Sequence, residues 1–284
     1  MKEKAIPIIV PHYQKDIVLV PDLVDSIRTY FKIPFKIIFI DDFSQDGAYE
    51  KLLQLEKTSS DIKVLRCPRN YGWGYGMWVI VGLGLKWAHE NLDFPYAIRI
   101  DCDGLIIKRG MDSILDKVYS NPKAGIAGHL QAQNNHFWFW HLRIARKWKN
   151  LAKKNGYFKR QDTENCFWFP QEGLMTFSHN LIKTIIENKQ FEEKNNFYKK
   201  LLGSRGLFDG PFWAVLCYAY GFEAVELPII RSYFGIEPLL KVPFESFREM
   251  GICAIHPLKR SDNPNAPEVR VREYFNQIRK KEKP

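Results

Sequence analysis

The chain has 284 residues, 45% of them hydrophobic and 26% charged, enough apolar mass for one large α/β domain or one domain with a small appendage, and disorder is excluded except at the ends. A formal charge of +10 and a pI near 9.2 favour anionic partners: nucleic acid, an anionic membrane surface or nucleotide substrates. Five scattered cysteines (Cys67, Cys102, Cys166, Cys217, Cys253) argue against a disulfide framework or structural zinc site and fit a reducing cytoplasm.

The first apolar run, residues 5–10, stops at Pro11 and is too short for a signal peptide. The longest apolar stretches, 77–85 and 211–220, fall short of a membrane span, so the expectation is a soluble, unexported, cytoplasmic protein with no transmembrane segment. In chain order, 6–10 reads as a strand and 21–31 as a helix with Pro21 in its opening turn. A β-branched and aromatic strand over 35–40 ends at Asp41-Asp42. A short helix begins near Ala48, a third strand covers 62–65, a long buried helix 73–90, and a fourth strand 96–100 ends at Asp101. Alternation of this kind predicts a mostly parallel sheet with helices on both faces. The second half is less regular: strands at 125–130, 173–177 and 223–227, helices at 137–154 and 209–220, then a polar, proline-containing linker over 261–267 before a terminal helix over 268–281.

In open parallel sheets, functional groups sit beyond the carboxyl ends of strands. Asp41-Asp42 and Asp101-Cys102-Asp103 both hold that position, so the two acidic clusters are expected to share one crevice. Two carboxylates one residue apart present hard oxygen ligands to Mn²⁺ or Mg²⁺, and such an ion suits a nucleotide diphosphate. Taken alone, Asp-x-Asp is as easily a solvated strand-to-turn junction, and Asp42, Ser44 and Asp46 are equally at home in turns and helix caps.

Four stretches taken in order resemble the family 2 glycosyltransferases of the GT-A fold: Ile6-Pro7-Ile8-Ile9-Val10-Pro11-His12-Tyr13, then Asp41-Asp42-Phe43-Ser44-Gln45-Asp46-Gly47, then Arg69-Asn70-Tyr71-Gly72-Trp73-Gly74-Tyr75-Gly76, then Arg99-Ile100-Asp101-Cys102-Asp103. The resemblance covers about the first third of the chain. It implies a GT-A (Rossmann-like) α/β domain over 1–260, with a nucleotide-sugar-binding half at 1–105, an acceptor half at 106–260, and a linker with a basic C-terminal helix over 261–284. It implies Pro11 and Tyr13 along the nucleotide, Asp41 or Asp42 on the base (most often uracil), Arg69 and Asn70 in the phosphate-side loop, Asp101 at the ribose or metal shell, and Asp103 on the metal.

The second-half match is weaker. Gln171-Glu172-Gly173-Leu174-Met175 resembles the acceptor-side strand, whose glycine lies near the donor sugar. Phe208-Asp209-Gly210-Pro211-Phe212 sits where the family has Glu-Asp and its catalytic base. Only one acid remains there, and its spacing to Gly221 suits either family position. Asp209 is therefore the first candidate base, with helix capping as its structural alternative, and Glu172 is the substitute. In Ala254-Ile255-His256-Pro257-Leu258-Lys259, His256 is a candidate third metal ligand and Lys259 a diphosphate contact.

On a helix, Phe137, Trp140, Ile144, Trp148 and Leu151 form an apolar stripe flanked by arginines and lysines. This basic aromatic stretch, 137–160, supports three readings: a core-packing helix with a solvated face, a helix lying on an anionic membrane, or a tracker of duplex DNA. The expected function is transfer of a sugar from a nucleotide sugar, UDP-linked by family expectation, to a glycan or lipid-linked saccharide with inversion. The alternatives are a phage-type enzyme glycosylating hydroxymethylpyrimidines in DNA within a host cytoplasm, a sugar nucleotidyltransferase, and a non-catalytic nucleic-acid-binding module. The absence of glycine from Pro11-His12-Tyr13-Gln14-Lys15 counts against the nucleotidyltransferase, and the ordered acidic motifs count against the binding module.

Overall fold

The computed structural model describes residues 2–72, 76–133, 167–189 and 209–283. The basic aromatic stretch over 137–160, the first residues of the helix expected from Trp73, and Phe208 lie outside them.

Apolar runs become strands and the segments between them helices. The first half holds β1 (Glu3–Lys4), β2 (Ile6–His12), α1 (Val20–Tyr30), β3 (Phe35–Asp41), α2 (Ala48–Thr58), β4 (Ile62–Arg66), α3 (Met77–Asn91), β5 (Leu92–Asp93) and β6 (Tyr96–Ile100). Every residue of β2 and β6 is buried, as parallel strands covered on both faces require. The helix α3 presses close on this layer at Gly84, where a Cβ would fall 2.7 Å from Ile40 Cδ1 and 2.9 Å from Ile9 Cγ2.

The second half continues with β7 (Leu105–Ile106), α4 (Met111–Tyr119), β8 (Ala124–Gln133), β9 (Phe167–Ser178), α5 (His179–Glu187), α6 (Asp209–Ala219), β10 (Glu223–Glu226), β11 (Ile230–Ser232), α7 (Glu237–Leu240), β12 (Ala254–His256) and α8 (Pro267–Glu282). Among the described residues, seven strands make one sheet in the order β10-β8-β9-β6-β2-β3-β4. Pairing is parallel except around β9, which runs antiparallel to both β6 and β8. One sheet thus draws its strands from both halves of the chain.

A second, three-stranded sheet, β11-β12-β7, places the site. It pairs Ser232 with His256 and Leu105 with Ile255, so the chain just after Asp103 is bonded to the strand that ends in His256. A smaller core of Leu105, Ile107, Phe247, Ile252, Ile255, Leu258, Val271 and Phe275 lies under this sheet. Fully burying a side chain such as Phe275 contributes about 1.5–3 kcal/mol, which docks α8 onto the body. On its other contacts α8 is held by charge: Arg272 and Arg279 reach Asp22, and Arg279 and Lys283 reach Asp25, both acids on α1. Among the described residues, no helix is long and apolar enough to cross a membrane.

Candidate active site

The carboxyl ends of β2, β3 and β6 open onto a crevice of about 540 Å³, lined among others by Pro11, Tyr13, Asp42, Asn70, Asp101, Asp103 and Lys259. The two acidic clusters thus share one space, and the peptide oxygen of Pro11 accepts from Cys102 Sγ at 3.4 Å between them. Tyr13 stands 39% exposed at the crevice.

Asp41 and Asp42 part company because the first is the last residue of β3 and the second lies in the turn just beyond it. Asp41 is fully buried and does not line the crevice; His12 Nδ1 lies 3.4 Å from its Oδ1, and Ser44 N–H donates to Oδ2 at 3.0 Å. Burial would raise the Asp41 carboxyl, but the hydrogen bonds from His12 and Ser44 hold it below the usual range. Asp42 accepts from the backbone N–H groups of Tyr71 and Gly72 at 2.8 and 3.0 Å, while its peptide oxygen accepts from Asn70 Nδ2 at 2.9 Å. It pins the 70–72 loop to the crevice, and burial lifts its carboxyl despite those two donors. Arg69 packs over the Tyr71 ring, 5.1 Å from its centroid, outside the crevice lining.

Across the crevice, one ligand atom each from Asp101, Asp103 and His256 lie within 4.8 Å of one another. His256 Nε2 is 3.2 Å from Asp103 Oδ1 and 3.9 Å from Asp101 Oδ2. Ser232 Oγ donates to the peptide oxygen of Glu172 at 2.8 Å, so it accepts from His256 Nδ1 at 3.0 Å. That relay keeps a proton on Nδ1 and turns Nε2 toward the acids, the nitrogen that would ligate a cation in place of its contact with Asp103. Two carboxylates and an imidazole are a donor set that suits Mn²⁺ or Mg²⁺. Burial would raise Asp103, but His256, with Arg272 and Lys259 beyond it, holds its carboxyl below the usual range. Gly173 makes room for the ring: a Cβ there would meet His256 Cε1 and Nε2 at 2.2 Å, and its φ of +89° also favours glycine. The glycine expected near the donor sugar packs against His256 of the Asp101, Asp103 and His256 cluster.

The two candidate bases differ sharply. Asp209 is 0% exposed; one oxygen accepts from Trp213 Nε1 at 2.5 Å and the other pairs with Arg99. Glu172 lines a smaller cavity shared with Arg99, Asp101, Asp103, Tyr233, Phe234, His256 and Lys259. Burial pushes its carboxyl up to about 7, with Arg99 and the Gly210 N–H pulling the other way. A group near neutrality is poised to take a proton.

Several site residues went unrecognised in the sequence. Ser232 and Phe234 carry no local signal, because the long-range pairing of β11 with β12 puts them there. Asp16, on the 3-10 turn Gln14–Val18, lines the crevice; burial and the charge of Asp103 raise its carboxyl. Arg99 had a readable signal: a charge inside the apolar strand Tyr-Ala-Ile-Arg-Ile, two residues before Asp101 and so on the same face.

Solved structures share this architecture. The chain matches the apo structure of the bifunctional glycosyltransferase WbbM at a TM-score of 0.53 and 11% identity, covering 97% of this chain but only 50% of that one. It matches an active-site mutant of LgtC at 0.54 and 9% identity, covering 96% of both chains. The galactosyltransferase LgtC in complex with donor and acceptor sugar analogs gives 0.53 and 10%, covering 97% of this chain and 96% of that one. A comparison with curated protein sequences gives no match. The fold is the GT-A fold of nucleotide-sugar glycosyltransferases. The pattern of glycosyl transferase family 2 matches residues 8–180, more than half of the chain, and the chain belongs to that family.

Proposed function

We propose that this glycosyltransferase moves a sugar from a nucleoside-diphosphate sugar, UDP-linked by family expectation, to a hydroxyl of a glycan or lipid-linked saccharide, with inversion and with Mn²⁺ or Mg²⁺ held by Asp101, Asp103 and His256. The observation that carries this is the convergence of those three ligand atoms where the crevice lined by Asp42, Asn70, Asp101 and Asp103 meets the smaller cavity lined by Asp101, Asp103 and His256. Pro11, Tyr13, Asp42 and Asn70 would flank the nucleoside, and Asp42 retains lone pairs for a base N–H beyond the two it gives to Tyr71 and Gly72. Asp41 would shape the loop from beneath. Lys259, which lines both cavities, would meet the diphosphate. A divalent cation bound there would neutralise charge gathering on the departing diphosphate.

Glu172 is the better base, because Asp209 is already committed to Arg99 and Trp213. The acceptor oxygen would attack the anomeric carbon as Glu172 takes its proton, and the carbon–oxygen bond to the diphosphate would break with its electron pair leaving on oxygen. A screen of UDP-, GDP- and TDP-sugars for hydrolysis, with and without Mn²⁺, tests the donor. An acceptor panel of glycans, lipid-linked saccharides and hydroxymethylated duplex DNA separates the acceptor classes. Binding of no nucleotide sugar at all would sink the proposal.

A further inference from the structure

Arg99 is an expensive residue to place where it is. Its neighbours in β6, Ile98 and Ile100, are buried aliphatics, and Arg99 itself is 1% exposed. A buried guanidinium is tolerated only where well-formed partners offset its desolvation, and an apolar side chain would otherwise serve as well. The partners are specific. Nη2 and Nε both donate to Asp101 Oδ1, at 2.9 and 3.2 Å, Nη2 also reaches Oδ2 at 3.3 Å, and Nη1 pairs with Asp209. Asp209 opens α6 and is itself held by Trp213 Nε1. Oδ1 takes both of the shorter arginine contacts, and Oδ2, which takes only the longest, is the oxygen of Asp101 that faces His256.

We propose that Arg99 is a positioning residue. It orients the Asp101 carboxylate so that one oxygen is presented to the cation, and through Asp209 it ties that carboxylate to the start of the acceptor-side helix α6. Asp209 is then the anchor of Arg99 and not a proton acceptor. The inference rests on the metal-site reading above and adds to it a residue outside the ligand set.

The test compares wild type with Arg99→Lys, Asp209→Asn and the double variant, reading Mn²⁺ affinity of the protein by electron paramagnetic resonance of free Mn²⁺, the melting temperature, and the split of donor KM against kcat. Partners that orient metal ligands are worth roughly 10–100-fold in affinity. Arg99→Lys keeps the charge and loses the fork, so its Mn²⁺ affinity should fall by about that factor, with donor KM rising and kcat at saturating Mn²⁺ falling less. Asp209→Asn keeps an oxygen for Trp213 and should lose affinity in the same direction, with the double variant losing less than the two single losses combined. Unchanged Mn²⁺ affinity in folded Arg99→Lys overturns the proposal. So does a loss of turnover in Asp209→Asn beyond about 10³-fold with Mn²⁺ affinity intact, since that marks a base. If Arg99→Lys does not fold, Asp209→Asn decides by the same two readings. Failure of the wild type to bind Mn²⁺ removes the metal site together with this inference, whereas normal wild-type binding with no loss in the variants removes only the role of Arg99.

Discussion

Glu172→Gln keeps the volume of the side chain and removes its ability to ionise. In the folded protein burial lifts the Glu172 carboxyl from 4.5 to about 7, so between those values the native state holds a proton that the unfolded chain has released. Stability therefore falls as pH rises through this window, and the loss is complete above about pH 7. At about 1.4 kcal/mol per pH unit, the ionised carboxylate costs the fold on the order of 3 kcal/mol. The glutamine variant escapes this cost. In metal-free protein its melting temperature should exceed the wild type's at pH 8, by roughly 3–10 °C for a stabilisation of about 1–3 kcal/mol, and the two should converge near pH 4.5. Turnover should move the opposite way: a lost general base costs about 10²–10⁴-fold. Wild-type kcat/KM should rise with pH through a limb near 7, displaced downward when a cation sits beside Glu172. Calorimetry at the two pH values and a pH–rate profile measure both effects. A glutamine variant with wild-type turnover, or one more stable at neither pH, refutes the assignment.

Three further predictions concern His256 and the residues that hold it. His256→Ala should abolish measurable Mn²⁺ binding and turnover together, and unchanged values of both would dismiss it as a ligand. Ser232→Ala removes the partner of His256 Nδ1, and should weaken Mn²⁺ by about 10–100-fold in a titration while the fold melts within a few degrees of wild type. Gly173→Ala forces a methyl into the His256 ring at a left-handed backbone position that costs about 1–2 kcal/mol, so both Mn²⁺ affinity and melting temperature should drop. A Gly173→Ala protein that keeps its Mn²⁺ affinity would show that the histidine relocates without consequence.

The first half was legible because β2 and β6 are buried throughout and β3 over most of its length, and its strands read as mostly apolar runs, so β2, β3, β4 and β6 sit close to where periodicity puts them. Their acidic ends followed directly. What stayed hidden depends on pairing between distant parts of the chain. The strands β7, β11 and β12 are two or three residues long, too short to show a period, and they exist because Leu105 meets Ile255 and Ile230 meets Ala254. The Ser232–His256 contact runs through them, so His256 could be proposed as a ligand from its residue type but Ser232 could not. Asp41 and Asp42 were equivalent as letters; the last position of β3 sends the first to His12, and the turn just beyond it sends the second to the crevice.

The charge balance carries a similar lesson about what a net value of +10 means. The basic C-terminal helix reads in the sequence as a surface for anions. In the fold three of its cations, Arg272, Arg279 and the adjoining Lys283, are spent on the protein itself. Arg279 is buried against Asp22 and Asp25, and Lys283 reaches Asp25. Arg272 donates through Nε and Nη2 to the peptide oxygen of Leu258, at 3.1 and 2.9 Å, and through Nη1 to Asp22. Leu258 in turn donates its N–H to the peptide oxygen of Asp103 at 2.7 Å. The positive charge of α8 thus locks the segment that carries His256 and Lys259 against the acidic motif. A polyanionic acceptor would have to be drawn by basic residues elsewhere, the 137–160 stretch first among them. Salt sensitivity of acceptor binding should therefore track lysine and arginine substitutions in that stretch and not those at Arg272 or Arg279.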